Sequence, residues 1–498
     1  MSLITVSHLT FGYEGSCELV FDDVSFQLDT DWKLGLTGRN GRGKTTLLRL
    51  LAGEYTGRGN ISSSVQFVYF PCRHVDRQAP AYLAAEQISP GYEWWALVRE
   101  LSLLNVEEER LYQSFGTLSG GEQTKIMLAS LFLEEGRFLL IDEPTDHLDY
   151  LGRQAVAKYL NRKKGFLLVS HDRQLLNACT DHTMSINPSE IQIQKGNYDC
   201  YQENKQRRDQ FELAENQKLQ REIRKMSEAA KRTAEWSDRV EATKNGTRLA
   251  GLKPDKGYIG AQAARMMKRS KAAQQRKQRA LEEKEGLLKN LEFDRDLKLT
   301  PLAWRGGRMI EADGLTLFYG ERQICQPLTF CIEAGELAAL QGSNGCGKSS
   351  LLSLLMKRPA PNLRCSGTLH IASGLRVSCV LQDTNHLSGS LSQLARCEGI
   401  DESHLKAILR YMDLSKAQFE IPLEEFSEGQ KKKVLLACSL CQEAHLYLWD
   451  EPLNFVDIIS RGQLARLLKQ AGMTMLLAEH DQAFLDDLSA RRIEFSRL

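Results

Sequence analysis

Two glycine-rich loops, each ending in a lysine and a hydroxyl residue, carry the clearest chemistry in this sequence of 498 residues. Both match the pattern G-x-x-x-x-G-K-[ST], in which backbone N–H groups surround phosphates, the lysine reaches the β- and γ-phosphates and the hydroxyl binds Mg²⁺. The sequence therefore predicts two phosphate-binding sites that use magnesium. Their predicted contacts are Gly38, Asn40, Gly41, Gly43, Lys44, Thr45 and Thr46 in the first loop, and Gly342, Asn344, Gly345, Gly347, Lys348, Ser349 and Ser350 in the second.

Two adjacent carboxylates follow an apolar run in each half of the chain, as Asp142-Glu143 and as Asp450-Glu451. The first carboxylate of each pair can hold Mg²⁺, directly or through water. The second can accept a proton from the water that attacks the γ-phosphate, or orient that water. Acidic residues can also simply cap a strand, but their recurrence downstream of both phosphate loops favours catalysis.

Two further motifs recur in the same order. Ser119-Gly120-Gly121-Glu122 and Ser427-Glu428-Gly429-Gln430 each open an apolar helix, and a helix N-terminus favours an anion. His171 and His480 each end a predicted strand, where a histidine can hydrogen-bond a γ-phosphate or position water. An aromatic residue, Tyr13 or Tyr319, precedes each phosphate loop.

The repeat also predicts the fold. Strands alternate with helices in both copies, which indicates an α/β fold built on a largely parallel sheet. We expect one ATP-binding domain over residues 1–202 and a second over residues 301–498. Residues 203–300 between them are rich in Lys, Arg, Glu, Gln and Ala, which favours long helices.

This central segment is the unrepeated part of the chain. Gly, Pro and Asn residues at about 245–258 interrupt it, so we expect a helical hairpin with its tip there, although a solvated linker is the alternative. Residues 239–279 hold twelve Lys and Arg against two Asp and Glu, within a chain of net charge +1. Such a local excess indicates contact with a polyanion. Candidate residues for this contact are Lys244, Arg248, Leu249, Leu252, Lys253, Lys256, Tyr258, Arg265, Lys268, Arg269 and Lys271.

In this order, the motifs resemble the ATP-binding cassette (ABC) ATPases, and two cassettes joined by a long helical linker resemble the ABC-F subfamily. The resemblance implies that ATP and Mg²⁺ are the cofactors and that the cassettes of one monomer pair head to tail. Each ATP would lie between the loop of one cassette and the signature of the other. By that pairing Lys44, Thr45, Asp142, Glu143 and His171 would face Ser427 and Gly429. Lys348, Ser349, Asp450, Glu451 and His480 would face Ser119 and Gly121.

ABC-F proteins act on ribosomes, and the run Phe67-Val68-Tyr69-Phe70-Pro71 resembles the Lsa-type antibiotic-resistance group. The resemblance implies an ATPase that binds the bacterial 70S ribosome at the tRNA exit site, near 23S rRNA and the P-site tRNA. It would protect the ribosome from lincosamides, streptogramin A and pleuromutilins, with hydrolysis releasing the protein. A housekeeping translation factor is the alternative within the family, and the ATPase subunit of a membrane importer is the alternative outside it.

Three positions depart from the family pattern. Cys72 stands where a magnesium-binding glutamine is expected, whereas the second copy keeps Gln382; Asp146 replaces an asparagine, and Glu428 replaces a glycine. Because Cys72 and Glu428 belong to the Lys44 site, we expect that site to turn over more slowly. No run approaches the ~18 apolar residues that a membrane span needs, and the first residues do not read as a signal peptide, so we expect a cytoplasmic protein without a membrane partner.

Overall fold

The computed structural model describes residues 2–15, 19–72, 75–134, 136–146, 148–187, 191–215, 297, 299–343, 345–357, 361–384 and 386–495, together with residues 218, 228, 265, 268, 272 and 275. By their contacts, residues 1–198 and 294–498 form one compact unit, which contains both cassettes, and residues 199–293 form a second. The predicted domain boundaries at 202 and 300 stay predictions.

The first cassette combines a three-stranded antiparallel sheet, in the order β2-β1-β4, with a six-stranded sheet in the order β5-β6-β7-β3-β8-β9. All neighbours in the larger sheet are parallel except β8 and β9. The strands are β1 Leu3–Phe11, β2 Phe21–Asp29, β3 Lys33–Thr37, β4 Arg58–Ser62, β5 Gln66–Phe70, β6 Arg137–Asp142, β7 Phe166–Val169, β8 His182–Ile186 and β9 Ile191–Lys195. The helices are α1 Lys44–Leu51, α2 Ala81–Ile88, α3 Trp94–Leu103, α4 Gly120–Leu131, α5 Tyr150–Asn161 and α6 Arg173–Cys179.

The second cassette repeats this plan. A four-stranded antiparallel sheet surrounds β10, and a five-stranded parallel sheet has the order β15-β16-β17-β13-β18. The strands are β10 Ile310–Tyr319, β11 Arg322–Gln323, β12 Leu328–Ile332, β13 Leu337–Gln341, β14 Leu363–Ile371, β15 Val377–Val380, β16 Leu446–Asp450, β17 Met475–Ala478 and β18 Arg491–Glu494. The helices are α7 Lys348–Leu355, α8 Leu391–Glu398, α9 Glu402–Tyr411, α10 Glu428–Cys441, α11 Ile458–Ala471 and α12 Gln482–Leu488.

Strand order brings the repeated motifs together. In the first cassette β6, β7 and β3 are neighbours, and all three run in the same direction. Their carboxyl ends therefore place the first carboxylate pair, His171 and the first phosphate loop at one edge of the sheet. The interiors of these strands are apolar and buried; Leu34, Leu140 and Leu167 have no exposed surface and share one core with residues of β1, β2 and α1. The predicted α/β class with two tandem cassettes is confirmed.

The central segment contributes little to this description. Residues 198–215 are helical, and Arg265 and Lys268 are helical and exposed. The other candidate RNA contacts and the predicted hairpin tip lie outside the described residues. Among the described residues, no helix is both long enough and apolar enough to cross a membrane.

Candidate functional site: two nucleotide sites of unequal construction

Both phosphate loops curl tightly between a strand and a helix. Gly43 has φ 86° and Gly347 has φ 106°, the left-handed region that glycine adopts without strain. A Cβ on Gly43 would lie 2.5 Å from Val20 Cγ1, so the first loop has no room for a side chain there. Each loop leads directly into a helix that begins at its lysine, which directs free backbone N–H groups at the space above the loop.

The two loop lysines are buried and fold back onto their own loops. Lys44 Nζ donates to the carbonyls of Gly38 at 2.8 Å and Arg39 at 3.2 Å. Lys348 Nζ donates to the carbonyl of Gly342 at 2.9 Å and to that of Ser343 at 3.0 Å. These bonds hold each ammonium group over the loop, where phosphate oxygens can replace the carbonyls as acceptors.

The magnesium ligands predicted for the first site are in contact. Thr45 Oγ1 donates to Asp142 Oδ2 at 2.8 Å, so the hydroxyl and the carboxylate present oxygens at one point. The hydroxyl of Tyr69 also donates to Asp142 Oδ2, at 2.9 Å. Burial, then Asp142, raises the pKa of Tyr69 above its usual range, so this phenol stays a donor. The sequence alone indicates no role for Tyr69 at this site.

The second site presents a similar oxygen set. Ser349 hydrogen-bonds Asp450, and Asp450 Oδ1 is buried without a hydrogen-bond partner among the described residues. Burying a carboxylate oxygen without a hydrogen-bond donor costs free energy, because the oxygen loses its contact with water. A hard cation that prefers oxygen ligands would compensate this cost. The residues present therefore fit Mg²⁺, which Ser349 and Asp450 would hold here and Thr45 and Asp142 would hold in the first site. Gln382, the remaining predicted ligand, lies at the same edge and bonds Glu451.

Glu143, the predicted base of the first site, is largely removed from solvent and lies near two other carboxylates, those of Asp142 and Asp146. It adopts φ 47°, and its Oε2 accepts the backbone N–H of His171 at 3.1 Å. The imidazole Nε2 of His171 lies 3.3 Å from Oε1. Burial, followed by the charges of Asp146 and Asp142, raises the pKa of Glu143 to about 8. Burial also lowers the pKa of His171 well below its usual range, so the imidazole is neutral.

Glu451, the counterpart in the second site, has amide neighbours instead. Gln382 Nε2 donates to its Oε2 at 2.9 Å, and Asn454 Nδ2 donates to the same oxygen at 2.6 Å. Asn454 occupies the position that corresponds to Asp146. His480 is buried, its Nε2 has no partner among the described residues, and burial followed by Lys348 lowers its pKa to about 4. The same two motifs thus produce different electrostatics.

A cavity of about 540 Å³ joins the first site to the signature of the second cassette. Asn40 Nδ2 donates to the carbonyl of Phe455 at 2.7 Å, and Arg39 pairs with Asp413 at 3.3 Å. The loop and the signature therefore meet across the cassettes, in the pairing that the resemblance implies. The site residues that line the cavity are Asn40, Gly41, Glu143 and His171 from the first cassette, and Ser427, Gly429 and Gln430 from the second.

A wider cavity of about 960 Å³ lies over the second loop. The described residues that line it all come from the second cassette, so it does not include the predicted signature contacts Ser119, Gly120, Gly121 and Glu122. The site residues in its lining are Tyr319, Gly345, Gly347, Lys348, Ser349, Ser350, Gln382 and Glu451.

Both signatures begin with a serine that caps the following helix. Ser119 and Glu122 form a capping box, as do Ser427 and Gln430. The side chain of Glu122 is therefore bound to Ser119, with Oε2 accepting its backbone N–H at 2.9 Å. Tyr13 bonds Thr46 at 2.7 Å between hydroxyl oxygens, and both Tyr13 and Tyr319 keep more than two fifths of their surface exposed.

The three unusual residues lie in different surroundings. Glu428 lines the composite cavity, but its Oε2 accepts the hydroxyl of Thr384 at 2.6 Å. Cys72 is described but is not among the residues that line this cavity, and its Sγ lies 3.7 Å from the Tyr69 carbonyl. Asp146 does line it.

Comparison with known proteins agrees with this architecture. A family model described as "ABC transporter" matches residues 21–146 and 325–454, slightly more than half of the chain. The ribosome protection protein VmlR of Bacillus subtilis (strain 168) is 27% identical over 500 residues, which cover 99% of this chain and 87% of VmlR. The energy-dependent translational throttle protein EttA of Escherichia coli (strain K12) is 24% identical over 531 residues, covering 96% of this chain and 89% of EttA.

Solved structures show the same fold. The archaeal ribosome recycling factor aABCE1, solved with the ribosomal stalk protein aP1, superimposes with a TM-score of 0.62 at 19% identity. The match covers 99% of this chain and 89% of that one. The family match supports ATP binding and ATPase activity in general. The family model matches two segments of the chain, and VmlR and EttA align with nearly its whole length. The chain therefore belongs to the ATP-binding cassette family, as a member of its ABC-F subfamily.

Proposed function

We propose that this protein is a cytoplasmic, monomeric ATPase that binds the bacterial 70S ribosome and protects it from antibiotics of the peptidyl-transferase centre. The observation that carries the proposal is the composite cavity, in which the first loop and the second signature face each other across the cassettes. Such a cavity lets one ATP hold the two cassettes together. The basic run at 239–279 supplies the affinity for RNA phosphates.

The described residues suggest how ATP binding and hydrolysis would close and open the two cassettes. Bound ATP would supply the γ-phosphate, and Mg²⁺ would neutralise its charge between Thr45 and Asp142. Lys44 would exchange its loop carbonyls for phosphate oxygens, and the N-terminus at Ser427 would stabilise the same phosphate from the other cassette. Glu143 and His171 would orient the water. Hydrolysis would convert ATP and water to ADP and phosphate. When this phosphate leaves, the two cassettes no longer share an anion and the closed form loses its stabilisation.

Similarity to VmlR supports the ribosome as partner and protection as outcome, since the alignment covers 99% of this chain and 87% of VmlR. By analogy, the segment 203–300 would enter the tRNA exit site and alter 23S rRNA and P-site tRNA, with lincosamides, streptogramin A and pleuromutilins as the affected drugs. EttA, at a similar level of identity, favours a second candidate, a housekeeping factor that acts on translating ribosomes.

Co-sedimentation with 70S ribosomes tests the shared part of both candidates. The double variant Glu143→Gln, Glu451→Gln keeps its phosphate loops and should stay on ribosomes when ATP is present, because it cannot remove the γ-phosphate. The matched control Lys44→Ala, Lys348→Ala cannot hold phosphate and should remain in the supernatant. If ATP traps neither variant, the ribosome is not the partner.

Drug susceptibility separates the two candidates. Expression of the wild type in a susceptible bacterium should raise the inhibitory concentration of lincosamides, streptogramin A and pleuromutilins, and the Lys44→Ala, Lys348→Ala variant should not. An antibiotic that acts outside the peptidyl-transferase centre serves as the control drug. Trapping on ribosomes without any change in susceptibility would favour the housekeeping factor.

A further inference from the structure

The Asp142 carboxylate receives a second hydroxyl that the phosphate-loop mechanism does not require. Tyr69 lies on β5, opposite Leu140 of β6, two residues before Asp142. From there its half-buried side chain reaches the end of β6, and its hydroxyl donates to Asp142 Oδ2 at 2.9 Å. Thr45 donates to the same oxygen at 2.8 Å, so Asp142 is oriented from two sides.

Tyr69 is itself held by a cation. Arg49, on the helix that follows the first phosphate loop, hydrogen-bonds Tyr69 and donates to the hydroxyl of Tyr55 at 2.9 Å. The ring of Tyr55 lies 6.0 Å from that of Tyr13, the aromatic residue that precedes the loop. Successive contacts therefore connect Tyr13, Tyr55, Arg49, Tyr69 and Asp142.

The second cassette does not repeat this arrangement at the corresponding described positions. Cys379 lies opposite Leu448 of β16, as Tyr69 lies opposite Leu140 of β6. Five residues after the loop lysine stands Ser353, where the first cassette has Arg49, and its hydroxyl donates to the carbonyl of Ser350 at 2.8 Å. The contacts of Tyr69 are thus a property of the first site and not a requirement of the fold.

We propose that Tyr69 is a positioning residue that fixes Asp142 for magnesium in the first site. If the Thr45 hydroxyl oxygen binds a metal, Thr45 no longer orients the Asp142 carboxylate through the present hydrogen bond. The Tyr69 hydroxyl would continue to orient that carboxylate. The Tyr69 hydroxyl would thus support magnesium binding in the cassette where Cys72 replaces the predicted glutamine ligand that the second cassette keeps as Gln382. The inference rests on the proposed binding of magnesium–ATP at this site.

Nucleotide binding with and without metal tests the inference. In a Lys348→Ala background, which weakens the second site, a fluorescent ATP analogue is titrated with Mg²⁺ and, separately, with a chelator present. In Tyr69→Phe, the Mg²⁺ concentration for half-maximal binding should rise about fivefold, since a hydrogen bond to a charged group is lost at a half-exposed position. Binding in the chelator should stay unchanged. With Mn²⁺ in place of Mg²⁺, the electron paramagnetic resonance signal of the bound ion should broaden.

Tyr92→Phe is the matched control. It also deletes a half-buried hydroxyl of the first cassette, one that donates to the carbonyl of Tyr82 at 3.2 Å, and it should leave the Mg²⁺ requirement unchanged. Arg49→Met provides a second variant if Tyr69→Phe does not fold, and it should raise the Mg²⁺ requirement in the same direction.

Two results would overturn the inference: equal weakening of binding with and without metal, or a Mg²⁺ requirement that Tyr69→Phe leaves unchanged. Failure of the proposed function looks different. In that case the Lys348→Ala parent itself would bind the analogue equally with Mg²⁺ and with the chelator.

Discussion

The carboxylate of Asp146 should set the pH dependence of ATP hydrolysis in the first site. It stands where the second cassette has Asn454, whose amide donates to Glu451 Oε2 at 2.6 Å. Asp146 cannot donate in this way, and its charge is the largest contribution after burial to the raised pKa of Glu143. Because the base must be ionised, activity at this site should fall as the pH drops through about 8. Asp146→Asn should therefore move the profile to lower pH.

The size of the shift follows from the charge that is removed. Asp146 is exposed, so water and salt screen part of its effect, and we expect the pKa of Glu143 to fall by about one unit, which corresponds to about 1.4 kcal/mol. A fall from about 8 to about 7 would raise the ionised fraction at neutral pH from roughly a tenth to roughly a half. The rate of the first site at that pH should then rise about fivefold.

The assay is steady-state ATP hydrolysis against pH in a Glu451→Gln background, where only the first site turns over. The reciprocal exchange, Asn454→Asp in a Glu143→Gln background, should move the profile of the second site to higher pH. Added salt should shift the parent profile in the same direction as Asp146→Asn. If Asp146→Asn changed the rate equally at every pH, the charge of Asp146 would not control the base and the reasoning would be refuted.

Three further predictions concern the same unit. Gly429→Ala should prevent closure of the composite site and abolish ribosome trapping by ATP, because its Cβ would lie 2.7 Å from the Phe455 carbonyl oxygen, which accepts the Asn40 amide of the first cassette; unimpaired trapping would contradict this. Asp457→Asn should lower the free energy of unfolding in urea by about 3 kcal/mol, since it leaves the buried Lys433 without its carboxylate at 2.9 Å. Glu451→Gln should reduce total ATPase rate more than Glu143→Gln does at neutral pH, and equal losses would count against unequal sites.

The sequence was sufficient for residues whose chemistry repeats. The phosphate-loop residues, the carboxylate pairs and the two histidines recur in one order, and the order of β3, β6 and β7 brings them to one edge as parallel strands require. The conformations of the two loops follow from local signals, since glycines occupy positions with positive φ, whereas no local signal predicts the positive φ of Glu143 and Glu451. Repetition works as a signal here because each copy supports the interpretation of the other.

Contacts between distant residues could not be read in this way. Asn40 and Phe455 are 415 residues apart, and nothing in either local sequence indicates that an amide of one meets the carbonyl of the other. In the sequence Tyr69 is only one residue of the run 67–71 that carries a resemblance, and its contact with Asp142 depends on the register between β5 and β6. Asn454 differs, since comparison with Asp146 in the other copy could have revealed its role.

The structure also changes the reason for expecting unequal sites. Cys72 lies against the backbone of Tyr69, and the Glu428 carboxylate is engaged by Thr384 at 2.6 Å, so neither acts on phosphate as directly as their positions in the sequence indicate. The stronger cause is Asp146, because it acts on the base itself. A first site whose base is largely protonated at neutral pH would keep its ATP while the second site turns over. The closed cassettes would then persist through several events at the second site, and release would depend on the slower one.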